Sequence, residues 1–508
     1  VTNVAVATTS QLAAEAAQEV AAEGGNAVDC ALAAALLTMN TEPGVCALAG
    51  SSFITIWPQG GDPVTVDGNV AVPGAGLAPD DRGHGTVKVS MDYGAGIETL
   101  VGPGSVSIPG SLAAIEFAWK KYGVASWESI FTPTIRATRE GFALPAACRY
   151  YLGYSGDEIF GRSEDGHRAL HDEHGALKAA GEAIIIPHLS ETLEAIAHEG
   201  AGLFYEGELA AVISCHCRNG GGMLTREDLA SYQAIERKPL QTEIGGWQIA
   251  TNPAPAVGGA VLSAMLIACS DLTGQEWDKT TLAQLIETQR ACLDFRLRKL
   301  DLADDVSAEA ARLVEFARSG RLLSRWSSAS TVHTSVVDSD GTGCAITASS
   351  GYGSGEMPSG TGLWLNNCLG EIELNRRGLD AGPVGSRLPS NMAPSIARRD
   401  GTVLAVGSPG ADRITTALQQ FFINYLLFEM PLEAAIAHPR VHVDTSGKAH
   451  RLMAEPGLNL PDTDLPVHEF PDLVMYFGGV GAALYDQTDG LASAADPRRE
   501  GGTCIYEH

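Results

Sequence analysis

The stretch from Asn26 to Met39 constrains the fold most. Asn26 is a good helix cap, and Ala27 to Met39 is apolar on most faces of a helical period. Such a helix has almost no side to give to water, so it is expected to be buried. The apolar run Cys30 to Met39 falls short of the roughly 18 residues that span a bilayer, so it reads as a core helix. Other elements must cover it.

The rest of the chain supplies those elements. Ser10 is expected to cap a helix that runs through the alanine-rich stretch to Glu23, with Gly24 ending it. Ser52 to Trp57 and Pro63 to Val66 are expected as paired strands around Gly60-Gly61. Asp80 to Gly96 is polar and glycine-rich and is expected to be an excursion loop. Helices are expected over Ser111 to Tyr122, Trp127 to Phe142, Thr192 to Gly200, Gly258 to Ala268, Thr281 to Leu302, Ala308 to Ser319 and Thr415 to Phe428. A strand is expected from Val403 to Val406. Helices first, strands in the middle and late, then helices again describe a layered α/β protein.

Composition narrows the class. A chain of 508 residues with 45% apolar and 19% charged residues is that of a globular protein. Its net charge of −27 argues against nucleic acid and against an anionic membrane surface. No segment is apolar enough to span a membrane, and Val1-Thr2-Asn3 begins nothing like a signal peptide. The ten cysteines lack the spacing of a disulfide scaffold, and Cys30, Cys269 and Cys292 sit in apolar surroundings. They read as reduced core residues of a cytoplasmic protein. Cys215-His216-Cys217 has no second nearby pair, so no metal site is expected.

The chemistry concentrates in Ser327-Ser328-Ala329-Ser330-Thr331-Val332-His333-Thr334-Ser335-Val336-Val337-Asp338. A threonine here follows a small polar segment and opens a β-patterned run. Asp338-Ser339-Asp340-Gly341 reads as its turn, and Cys344 to Thr347 as the returning strand. A threonine hydroxyl needs a base to become a nucleophile. An N-terminal threonine carries one, because a free α-amine has a pKa near ~8. That requires cleavage between Ser330 and Thr331.

Two further segments frame this run, Glu23-Gly24-Gly25-Asn26-Ala27-Val28-Asp29 and Val406-Gly407-Ser408-Pro409-Gly410-Ala411-Asp412-Arg413-Ile414. Ile108-Pro109-Gly110-Ser111-Leu112, Leu365-Asn366-Asn367, Arg387-Leu388-Pro389-Ser390 and His438-Pro439-Arg440-Val441-His442 add to the set. In this order the chain resembles the γ-glutamyltranspeptidase family of N-terminal-nucleophile hydrolases, and the matches span nearly its whole length.

The resemblance implies a four-layer αββα sandwich, two stacked antiparallel sheets between helical layers. It implies self-cleavage into a large fragment, residues 1–330, and a small one, residues 331–508, which together form one unit. Gly320 to Ser330 should then be exposed and mobile. Thr331 is implied as the nucleophile and Ser349 as the support for its hydroxyl and amine. Backbone N–H groups at Gly410 and Ala411 would receive the oxyanion. Alanine at 411 keeps its N–H, so the hole forms readily if that residue need not adopt a positive φ. His333 is expected to pack or orient rather than act as the base.

The substrate pocket departs from the family pattern. Relatives that read a γ-glutamyl group pair its α-carboxylate with an arginine, and Asp67 to Ala78, which should supply one, has none. Arg82 is the nearest substitute, with Arg376 and Arg377 as others. The serine pair that assists the carboxylate is Ser390-Asn391, the asparagine position is Gly351, and one carboxylate, Glu371, remains for an α-amine. The resemblance therefore implies an amidohydrolase acting on a small-molecule amide of an acidic or carboxylate-bearing acyl group. A true γ-glutamyltransferase and an unprocessed, non-catalytic homologue stay open beside it. No cofactor is implied. A dimer of heterodimers and a leader removed from before Val1 also stay open, since many relatives are exported.

Overall fold

In the computed structural model, residues 2–91, 96–319, 331–372, 374–445, 450–499 and 501–508 are described. The expected processing segment Gly320 to Ser330 lies outside them.

The helix expected to constrain the fold runs from Ala27 to Thr41, with all 15 residues buried. A capping box starts it. Asn26 Oδ1 accepts from the amides of Val28 (2.9 Å) and Asp29 (3.0 Å), and Asp29 Oδ2 accepts from the Asn26 amide (3.1 Å). Asp29 Oδ2 also receives the amides of Val124 and Ala125, which ties this helix to the connection that follows Ser111–Tyr122. The preceding helix, Gln11–Ala22, is capped by Ser10 as expected, and Gly24 has φ +96°.

These helices cover a seven-stranded sheet in the spatial order Gly502–Tyr506, Val4–Thr8, Val332–Asp338, Gly343–Ser349, Ser51–Trp57, Val64–Gly68, Ile235–Arg237. A six-stranded sheet lies behind it, in the order Gly490–Ala495, Gly481–Asp486, Thr402–Gly407, Ser395–Arg399, Trp247–Thr251, Leu240–Ile244. Every strand pairing within the two sheets is antiparallel. Small and branched side chains, among them Ala5, Val337, Ala345, Ile396, Ala405 and Ala483, form the core between the sheets. Their size suits the roughly 10 Å spacing of stacked sheets. Gly258–Ala268 and Arg413–Phe422 cover the outer face of the second sheet. The result is the αββα sandwich.

Two expectations need correction. Asp80 to Gly96 is not all loop. Val87–Met91 pairs antiparallel with Ile97–Val101, because Val89, Met91 and Ile97 are buried in the core of the helical layer. The helices expected over Thr281 to Leu302 and Thr415 to Phe428 end their regular turns earlier, at Phe295 and Phe422. Each then finishes in a wider π turn, Arg296–Leu300 and Ile423–Leu427.

Candidate active site

Thr331 immediately precedes the central strand Val332–Asp338, which pairs with Gly343–Ser349 in the register Val332 to Ala348. Extending that ladder by one residue sets Thr331 opposite Ser349. Both are nearly buried, at 3% and 8% exposure. The Ser349 backbone is held by Ser51, whose hydroxyl donates to the Ser349 carbonyl at 2.9 Å. The Ser349 hydroxyl accepts from the Gly351 amide at 3.2 Å. Thr331, Ser349, Glu371, Ser390, Asn391 and Ala411 line one cavity of about 20 Å³, room for about one water.

His333 shares the strand face of Thr331 and lies two residues on. Ser335 donates to the Gly481 carbonyl at 3.0 Å, so it accepts from His333 Nε2–H at 2.7 Å. Nδ1 then accepts from the Thr347 hydroxyl at 2.8 Å. Burial alone lowers its pKa to about 3. The ring is neutral, with both nitrogens engaged, and it packs on Gly407. A Cβ at Gly407 would stand 2.2 Å from ring carbon Cε1.

Gly407 closes a strand and leads into Ser408-Pro409-Gly410-Ala411. The Ser408 hydroxyl accepts from the Gly479 amide at 3.1 Å and fixes the turn. Gly410 takes φ +119°, and a Cβ there would lie 2.7 Å from Gly478 Cα, so only glycine fits. Ala411 takes φ +69°. The condition under which alanine would be free of strain is therefore not met. Left-handed alanine costs about 1 kcal/mol or more, so the surrounding structure must hold this turn.

Ser390 and Asn391 are held in the cavity wall by a close backbone approach to the start of a helix. The Ser390 carbonyl accepts from the amides of Val257 (2.8 Å) and Gly258 (3.1 Å). A Cβ on Gly258 would sit 2.1 Å from the Asn391 carbonyl oxygen, which explains a glycine at the start of the helix Gly258–Ala268. Glu371 is 3% exposed and lies against Gly351, where a Cβ would fall 2.9 Å from Glu371 Oε2.

The arginines stand elsewhere. Arg82 is not among the cavity-lining residues; its Nη2 donates to the carbonyls of Gly74 (3.3 Å) and Leu77 (3.1 Å) and closes its own loop. Arg377 pairs with Asp304 at 2.7 Å. No lysine or arginine is among the described residues that line the cavity. Ser51 and Asn69 do line it, and sequence reasoning passed over both. Asn69 stands in the very segment searched for an arginine, which made its amide easy to overlook. Ser51 carries no signal beyond preceding a strand.

The family model described as gamma-glutamyltranspeptidase matches residues 13–327 and 316–506. The glutathione hydrolase proenzyme of Pseudomonas aeruginosa is 30% identical over 474 residues, covering 86% of this chain and 82% of that protein. That of Escherichia coli is 28% identical over 476 residues, covering 86% and 80%. Among solved structures, a cephalosporin acylase from Bacillus halodurans shares the fold at 22% identity, with a TM-score of 0.79 over 100% of this chain and 96% of that one. From the threonine-led hairpin, the glycine turn and these matches together, the chain belongs to the γ-glutamyltranspeptidase family.

Proposed function

We propose that this chain is an amidohydrolase that cuts itself between Ser330 and Thr331 and then uses Thr331 as an N-terminal nucleophile. The observation that carries the reading is the shared cavity, in which Thr331 faces Ser349 and the left-handed turn at Ala411. In the first step the Thr331 hydroxyl attacks the Ser330 carbonyl carbon. The C–N bond breaks, the ester forms, and water hydrolyses it to give fragments 1–330 and 331–508. The freed α-amine then takes the hydroxyl proton as that oxygen attacks a substrate amide. Amides of the Gly410-Ala411 turn receive the oxyanion, and the ammonium returns its proton to the leaving amine. Water completes hydrolysis by the same route. His333 is not assigned as the base, because both of its ring nitrogens are engaged by Thr347 and Ser335 and burial lowers its pKa to about 3, which makes it a weak proton acceptor.

The acyl group proposed is small and carboxylate-bearing, read through the hydroxyl of Ser390 and the amide of Asn391 rather than through a guanidinium. Glu371 and the two glutathione hydrolase relatives favour a second reading, a γ-glutamyl donor whose α-amine meets that carboxylate. Glutaryl- and γ-glutamyl-p-nitroanilide, each with and without glycylglycine, separate the two. Faster glutaryl release without acceptor stimulation supports the hydrolase. Faster γ-glutamyl release raised by the dipeptide supports the transferase. Equal rates for wild type and Thr331→Ala refute both.

A further inference from the structure

Behind the cavity lies a charged cluster that the proposed chemistry does not use. The helix Lys279–Phe295 ends in the π turn Arg296–Leu300, which buries Arg296 completely. Its guanidinium holds Asp301 through Nε–Oδ1 (3.1 Å) and Nη2–Oδ2 (3.2 Å), and reaches Asp412 Oδ1 through Nη1 at 2.6 Å. That same Asp412 oxygen accepts from Asn391 Nδ2 at 2.6 Å. The chain of contacts thus runs from residues 296 and 301, on one side of the proposed cut, to a cavity-lining amide on the other.

Asp412 makes these contacts instead of capping the helix that follows it. It stands at the N-terminus of the helix Arg413–Phe422 with its own backbone already helical, φ −64° and ψ −26°, rather than in the extended form of a capping residue. Its side chain makes no cap bond, and its Oδ2 is buried with no hydrogen-bond partner among the described residues. Asp412 also directly follows Ala411, whose left-handed backbone needs support. A bare carboxylate beside that turn would oppose an oxyanion, and Arg296, shared with Asp301, offsets part of that charge.

We infer that Arg296 and Asp412 are positioning residues, which lock Asn391 and the Gly410-Ala411 turn in the geometry that acyl transfer needs. This rests on the amidohydrolase reading above. Asp301 binds the same guanidinium and is also buried, yet among the described residues no hydrogen bond joins it to Asn391 or the turn, so it is the internal control.

The test compares Asp412→Ala, Asp412→Asn, Asp301→Ala and Arg296→Lys, with Thr331→Ala beside them. The readout is kcat/KM on whichever p-nitroanilide turns over, or the first-order rate of self-cleavage, which needs no added substrate. Asp412→Ala is expected to lose at least tenfold, and Asp412→Asn, which restores the acceptor for Asn391, to recover most of it. Asp301→Ala is expected to lower the urea midpoint as much as Asp412→Ala while losing less than threefold in rate. Arg296→Lys keeps one charge but cannot bridge both carboxylates, so it too loses about tenfold, and it decides the matter if Asp412→Ala does not fold. Equal rate losses in the two alanine variants, or a wild-type rate in Arg296→Lys, overturn the inference. A wild type that neither cuts itself nor turns over substrate fails the amidohydrolase reading first, and this inference falls with it.

Discussion

Replacing Gly351 by alanine should damage the site through a single methyl group. Gly351 is buried at φ +68°. A Cβ there would lie 2.3 Å from Asn367 Oδ1 and 2.9 Å from Glu371 Oε2. Asn367 cannot swing aside cheaply. Its Oδ1 accepts from the Tyr352 amide at 2.7 Å, and its Nδ2 donates to Thr99 Oγ1 (2.9 Å) and the Leu100 carbonyl (3.0 Å). Left-handed alanine costs about 1–2 kcal/mol, partly offset in the unfolded chain. Overpacking adds about 1–3 kcal/mol. The expected loss is about 2–4 kcal/mol, together with displacement of Glu371 from its place in the cavity. Gly360 supplies the comparison, since it has φ +76° with nothing within 4 Å of its Cβ. Gly360→Ala should cost only the strain, about 1 kcal/mol, and leave turnover intact. Urea midpoints at unchanged m-value, with turnover of a chromogenic amide, measure both. Equal midpoints and equal turnover in the two variants would refute the steric reasoning.

Other outcomes follow from the same structure. Glu42 is buried, accepts from the Thr9 hydroxyl at 2.5 Å, and is raised by burial to about 7. The folded state therefore holds a proton that the unfolded state has lost between about pH 4.5 and 7, and wild-type stability falls as pH rises through that window. Glu42→Gln should gain on wild type across it by an amount on the order of 3 kcal/mol, read from urea midpoints at each pH; a pH-independent difference contradicts this. Glu371→Ala should raise KM for acyl groups with a free α-amine and spare those without one. An unchanged KM for γ-glutamyl-p-nitroanilide removes Glu371 from amine recognition.

The parts of the fold legible in the sequence are those set by local chemistry. Asn26 and Ser10 cap the helices expected of them, because capping needs only neighbouring amides. The hairpin after Thr331 is legible because Val332, Val336 and Val337 suit a strand and Asp338 to Gly341 suits a turn. The hairpin Val87–Met91 with Ile97–Val101 was hidden by its polar, glycine-rich surroundings; its strands are fixed by burial of alternate residues under distant helices. At the site, motif order brought Thr331, Ser349, Glu371, Ser390, Asn391 and Ala411 to attention, and the fold sets them around one cavity. Arg82 was chosen for nearness in sequence, and its loop turns it to Gly74 and Leu77 instead. The cluster of Arg296, Asp301 and Asp412 was not legible, because its members lie up to 116 positions apart and meet only through tertiary packing. Whether Ala411 takes a positive φ was likewise not legible, since alanine gives no sequence sign of a left-handed turn.

The central claim is that Thr331 becomes an N-terminus. Intact mass of the purified protein under denaturing conditions, beside Thr331→Ala, tests it directly. The account predicts two fragments in the wild type that meet between Ser330 and Thr331, and one uncut chain in the mutant. A single chain in both that stays uncut on incubation would leave Thr331 without its amine base and contradict the mechanism.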